Sequence, residues 1–169
     1  GWFEAANHTF TTMATSGFST WNSSVGHADS MFIQVVIVIF MVIAASNFGV
    51  LWALLKGQWR AALRDTEFKV FLSLLLLGTT LCAIALVTAG EPIVLTNGQE
   101  VAPTPGRALG EAAFTVVSQQ TTTGYATADW DLWPLAAKAM IVLLMFVGGS
   151  AGSTAGGVKV VRIWIAARV

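Results

Sequence analysis

Residues 111–127 read E-A-A-F-T-V-V-S-Q-Q-T-T-T-G-Y-A-T, and the chain carries a second version of this stretch near its beginning. Sliding the sequence on itself by 107 residues, without a gap, lays Glu4-Ala5-Ala6 on Glu111-Ala112-Ala113. The same shift lays Thr15 on Thr122, Gly17 on Gly124, Phe18 on Tyr125 and Thr20 on Thr127. Each copy reads as a short helix of about three turns that runs into a Thr-x-Gly-aromatic segment, followed by a long apolar stretch. A repeat at a fixed offset governs the reading of everything between its copies.

The composition is that of a membrane protein. Of 169 residues, 55% are apolar and only 11% charged, against about 25% charged in soluble proteins. Nine basic and nine acidic side chains cancel, which leaves no basic surface for nucleic acid. No charge lies between Asp29 and Lys56, between Lys69 and Glu91, or between Lys138 and Lys159. Each gap suits the roughly 20 residues that cross a bilayer core, so three embedded helices are expected. They are Met31 to Leu55, Phe71 to Ala89, and Leu132 to Val158, the last broken by G-G-S-A-G-S-T-A-G-G at 148–157. The fold class expected is all-α integral membrane. Cys82, the single cysteine, lies within the second apolar run as a core or lipid-facing residue.

Charge placement orients the spans. The segment 56–69 carries four basic and two acidic residues, whereas 90–131 carries five acidic residues and one Arg. Basic short loops stay cytoplasmic, so 56–69 lies inside and the loop with Pro92, Pro103 and Pro105 outside. Lys159, Arg162 and Arg168 return the chain to the cytoplasm. Trp21, Trp130 and Trp133 fall near the outer ends of the spans, and Trp59 and Trp164 near the inner ends, as aromatic belts do. The absence of an initiator Met and the start at Gly1-Trp2 suggest a piece of a longer protein.

Both short helices begin and end on the outer side, so residues 106–133 must dip into the membrane and return. Irregular backbone at that depth survives only where protein or a watery path surrounds it. A helix entering from outside points its negative C-terminal end inward. The extended segment after it offers carbonyl oxygens in place of a cation's hydration shell, with glycine admitting the unusual backbone geometry.

Thr15-Ser16-Gly17-Phe18 and Thr122-Thr123-Gly124-Tyr125 resemble degenerate potassium-channel filters and, in context, the Trk/Ktr/HKT superfamily of potassium transporters. N-F-G-V-L-W-A-L-L-K-G-Q-W-R-A-A-L-R-D-T-E-F-K at 47–69 resembles the link between the second and third repeats of Trk-type subunits. F-V-G-G-S-A-G-S-T-A-G-G-V-K-V-V-R at 146–162 resembles a stretch specific to the bacterial members. The resemblance covers essentially the whole chain. It implies four helix–pore-loop–helix repeats, of the potassium-channel-like type, around one pore. On that reading 1–56 is the pore helix, filter loop and last helix of one repeat, 57–69 a cytoplasmic linker, and 70–169 the next repeat with its broken last helix.

The resemblance further implies K⁺ uptake across the bacterial plasma membrane, with K⁺ held at the eight residues quoted from the two filters. The gate would be an intramembrane loop of Gly148, Gly149, Ser150, Ala151, Gly152, Ser153, Thr154, Ala155, Gly156 and Gly157, with Lys159 beside it. Gly17 and Gly124 favour K⁺, since family members with Ser at a filter Gly tend toward Na⁺. The implied partners are membrane lipid, a second copy in a homodimer, and a cytosolic nucleotide-binding regulatory subunit; no cofactor is implied beyond K⁺ as transported ion. A Na⁺-permeable transporter and a non-conducting receptor or scaffold are the alternatives.

Other residues carry two readings each. The Gly-rich run does not match a phosphate-binding loop, because Val158 separates Gly157 from Lys159; it either gates or packs helices. Lys159 snorkels to the interface or faces the pore. Glu4 and Glu111 sit in the first turns of their helices, there to interact with the N-terminus or to draw cations to a mouth. Asp129 and Asp131 divide between loop solvation and the same funnelling. Asn47 is expected to bond a neighbouring helix, with direct contact to an ion as its other reading. His8 and His27 lack ligand partners at metal spacing and take packing and loop roles. No nucleophile–base constellation appears, so no enzyme is expected.

Overall fold

The computed structural model of the chain describes residues 1–166; Arg168, part of the expected cytoplasmic return, lies outside the described residues. The order of elements is α1 (Trp2–Met13), α2 (Met31–Ala44), α3 (Phe48–Leu55), α4 (Trp59–Arg64), α5 (Thr66–Ala89), β1 (Ile93–Val94), β2 (Glu100–Val101), α6 (Pro105–Gln120), α7 (Leu135–Val147) and α8 (Val160–Ala166). Short 3-10 turns at Ser24–Ala28 and Trp130–Leu132 follow the two repeated loops.

The scaffold is α5, 24 residues long with a mean hydropathy of 2.5 over its most apolar window. Asp65 starts it, its Oδ1 accepting from the Phe68 amide at 2.7 Å, which sets the helix start inside the expected linker. Phe71, Leu75, Gly78, Cys82 and Leu86 recur at helical spacing and are buried. A side chain at Gly78 would meet Leu144 and Val116 at 2.5 and 3.2 Å, so this face packs directly on α6 and α7. Leu76, Leu77, Leu81 and Ile84 cover the opposite side and are exposed, the face a lipid bilayer would cover.

Of the three spans expected from charge spacing, the third of them broken at its Gly-rich run, one forms as a single long helix. Among the described residues only α5 is long and apolar enough to cross a membrane alone. The first expected span breaks after Ala44, and α3 leaves α2 at 109°. Asn47 accounts for the break: its Oδ1 accepts from the Gly49 amide at 2.7 Å and caps α3. That replaces the helix-to-helix bond expected of it. The third span shortens to the 13 residues of α7, about 20 Å at the helical rise, and ends at Gly148.

The fold is mostly helical, with one departure from the all-α expectation. The outer loop folds into a small hairpin, Ile93 opposite Val101 and Val94 opposite Glu100. Its turn spans residues 96–98 and closes at Gly98, whose φ of 84° suits glycine. The hairpin holds the segment after Tyr125, with bonds from the Thr96 amide to Thr127 O at 3.0 Å and from the Asp129 amide to Val94 O at 2.8 Å.

Candidate functional site

The repeat seen in the sequence recurs in three matched backbone bonds. The Ala14 amide donates to Phe10 O, as Thr121 does to Val117 O. The Thr15 amide donates to Thr12 O, as Thr122 does to Gln119 O, both at 3.1 Å. Ser16 donates to Thr11 O and Thr123 to Ser118 O, both at 2.9 Å. Thr15 and Thr122 both have positive φ, 49° and 58°, and so do Gly17 and Gly124, 65° and 85°. Two non-glycine residues in the left-handed region at matched positions mark local strain, of the kind found at functional sites.

The consequence is chemical. Each loop spends its amides on the C-terminal carbonyls of α1 or α6. Among the described residues, no donor reaches the carbonyl oxygens of Thr15, Ser16, Gly17, Thr122, Thr123 or Gly124. Those oxygens, next to the negative ends of two helices, are a set of uncharged ligands suited to a hard cation. The two loops touch: a Cβ at Gly17 would run into the Thr123 carbonyl, lying 3.0 Å from its carbon.

The matched aromatics part company. Tyr125 is fully buried, its hydroxyl bonded to Thr11 Oγ1, reached by Thr12 Oγ1 at 3.4 Å and donating to His8 O at 3.3 Å. Its ring lies 5.8 Å from that of His8. The second loop is thereby fixed to the helix of the first. Phe18, its counterpart, is 73% exposed.

The Gly-rich segment 148–159 runs beneath both loops. Thr15 Oγ1 donates to Thr154 O at 3.0 Å, and Thr122 Oγ1 accepts from the Gly156 amide at 2.6 Å. The equivalent threonines of the two repeats thus hold one segment. The same segment satisfies the broken end of α2. Ser150 N donates to Ala45 O at 3.0 Å, Thr154 N and Oγ1 to Ala44 O at 3.2 and 2.9 Å, and Phe48 N to Gly152 O at 3.1 Å. Helix ends buried without such partners are costly. From the linker side, Glu67 Oε1 accepts from the Ala151 amide at 2.6 Å. The Lys159 ammonium turns back onto the segment's own Ala155 carbonyl.

Glu4 sits in the first turn of α1, but Glu111 does not sit in the first turn of α6, which begins six residues earlier at Pro105. Glu111 is buried, pairs with Arg107 at 3.0 Å, and accepts from Thr127 Oγ1 at 2.6 Å. Its burial leaves it away from any mouth. Asp129 accepts from the Asp131 amide at 3.1 Å and shapes the turn into α7. His27 stacks on Trp21 at 3.7 Å, and His8 links Glu4 O to Ser19 Oγ at 2.8 and 3.1 Å.

The sequence reading assigned Glu67 and Arg107 no role, and Thr127 only its place in the repeat opposite Thr20. Arg107 was accessible to it, being the single Arg of an acidic loop and four residues before Glu111, the spacing of a helical ion pair. Nothing in the sequence singles out Glu67, whose partner is 84 residues away.

Comparison with known proteins is consistent along the whole chain. A family model described as TrkH, cation transport protein, matches residues 1–169. The Trk system potassium uptake protein TrkH of Salmonella typhimurium is 38% identical over 162 residues, covering 95% of this chain and 32% of that protein. The Trk system potassium uptake protein TrkG of Escherichia coli K12 is 30% identical over 169 residues, with 96% and 32% covered. The crystal structure of the potassium transporter TrkH from Vibrio parahaemolyticus superposes with a TM-score of 0.84 at 33% identity, covering 98% of this chain and 34% of that one. The chain thus spans about one third of the length of the relatives it matches.

Proposed function

The chain belongs to the TrkH family of cation transport proteins, and from that premise we propose that it forms part of a pore for potassium uptake across the bacterial plasma membrane. K⁺ sheds its water onto the backbone oxygens of Thr15 to Phe18 and Thr122 to Tyr125, with two further loops supplied from outside this segment. The Gly-rich segment is the gate beneath them. One observation carries the reading: two loops with matched backbone bonds turn amides into helix ends and leave the carbonyls of Thr15 to Gly17 and Thr122 to Gly124 unclaimed, directly above a segment held by Thr15 and Thr122. Cation chemistry asks for oxygen ligands without fixed charge, and passage asks for a floor that can move.

The relatives carry the words "Trk system" in their names. We extend the proposal to a homodimer that works with a cytosolic nucleotide-binding regulatory subunit.

The test is K⁺ and Na⁺ flux in proteoliposomes holding the full-length protein, alongside Gly17→Ser and Gly124→Ser. K⁺-selective flux that loses its selectivity in both variants is the expected result. Flux of both ions, unaltered by either substitution, would assign the loops to scaffold and place selectivity elsewhere.

A further inference from the structure

The chain leaving the second loop is tied back to the helix that enters it. Thr127, 1% exposed and two residues past Tyr125, donates its hydroxyl to Glu111 Oε2 at 2.6 Å. Glu111, 2% exposed on α6, is balanced through its other oxygen by Arg107 at 3.0 Å. A buried carboxylate is tolerated when it is both paired and hydrogen-bonded, and here the two partners lie on opposite sides of the loop. The Thr127 carbonyl is also held, accepting from the Thr96 amide at 3.0 Å. The first repeat builds the same tie independently. Glu4, the residue matched to Glu111, accepts from Trp21 Nε1 at 3.1 Å, and Trp21 adjoins Thr20, the residue matched to Thr127. Both repeats therefore bridge a helix glutamate to the outgoing leg, over 17 and 16 residues.

We infer that Glu111 and Thr127 form a strut behind the loop and are positioning residues for ion selectivity. Neither faces the carbonyls of Thr122 to Gly124. The strut fixes where those carbonyls stand by clamping the backbone on either side of them. The Ser118 hydroxyl, donating to Tyr125 O at 2.7 Å, braces the same leg about two turns further along α6. A ligand set that must tell K⁺ from Na⁺ depends on the spacing and stiffness of its oxygens. Releasing one end of the strut should therefore widen the range of ions accepted without abolishing flux.

The inference rests on reading Thr122 to Tyr125 as the filter, and the experiment separates the two. K⁺/Na⁺ permeability ratios are measured in proteoliposomes of the full-length protein for Thr127→Val, Thr127→Ala, Thr127→Ser and Gly124→Ser. The valine variant keeps the shape and removes the hydroxyl. The expected ratio falls about tenfold, the equilibrium factor carried by one hydrogen bond to a charged group, while total cation flux persists. Thr127→Ser, which restores the hydroxyl, recovers the ratio. A wild-type ratio in Thr127→Val, with selectivity lost in Gly124→Ser, would overturn the strut and leave the filter standing. An unchanged ratio in Gly124→Ser would remove the filter reading itself. Failure of both Thr127→Val and Thr127→Ala to assemble, with Thr127→Ser intact, would assign the bond to folding and overturn the inference as well.

Discussion

Gly17 and Gly124 occupy the same place in the repeat and share a left-handed backbone, yet their surroundings differ. A methyl at Gly17 would collide with the Thr123 carbonyl, whereas nothing lies within 4 Å of one at Gly124. Alanine at Gly124 therefore carries only the backbone strain of about 1–2 kcal/mol. Alanine at Gly17 adds the displacement of the neighbouring loop, roughly 1–3 kcal/mol more by analogy with overpacking. Thermal unfolding of the full-length protein in detergent should place Gly17→Ala below wild type by more than the backbone strain alone. A loss no larger than that strain would mean that this loop does not touch Thr123. Thr15 and Thr122 accept comparable strain without glycine's freedom. Their hydroxyls explain why: each bonds the Gly-rich segment, which a glycine could not do.

At the scale of elements, the Gly-rich segment and the break between α2 and α3 are one construction. Each supplies the hydrogen-bond partners that the other lacks, through Ala44, Ala45 and Phe48 on one side and Ser150, Gly152 and Thr154 on the other. This explains what the sequence could and could not reveal. The Gly-rich interruption was readable because glycine and small residues disfavour helix on their own. The break at Asn47 was not, since a 26-residue run without charge between Asp29 and Lys56 looks like one span, and the partners that hold the broken ends, Ser150, Gly152 and Thr154, lie more than 100 residues away. The two filter candidates were readable from the 107-residue offset alone, but the hairpin was reduced to Asn97-Gly98, with two-residue strands too short to show alternation. Glu67 gives the construction a handle. On the gate reading, Glu67→Ala removes a charge-assisted bond to the Ala151 amide, ordinarily about 1.5–3 kcal/mol. The released form of the segment should then rise about tenfold or more, seen as faster K⁺ flux in proteoliposomes. Wild-type flux in this variant would show that the segment does not limit passage.

At the scale of the whole molecule, the two repeats are held together at three levels. The hairpin links them at the outer side, Thr96 Oγ1 donating to Ser23 O at 2.7 Å. Tyr125 joins the second loop to α1 in the middle, and the Gly-rich segment spans both threonines beneath. The middle link has a direction: the aromatic of the later repeat packs on the helix of the earlier one. In a ring of four such repeats the same contact recurs at each junction, so Phe18 should pack on the helix of the repeat before it. That repeat lies outside this chain, and Phe18 is 73% exposed here. The full-length protein distinguishes the two situations. A covered Phe18 makes Phe18→Ala cost about 3–5 kcal/mol, as large-to-small changes in a core do. An exposed one makes it cost no more than about 0.5 kcal/mol. We expect the larger loss, measured as a fall in melting temperature similar to that of Tyr125→Ala in the same detergent. A Phe18→Ala variant that melts with wild type would break the symmetry on which the four-repeat ring depends, and the two loops would then have to form their cation path without a preceding neighbour.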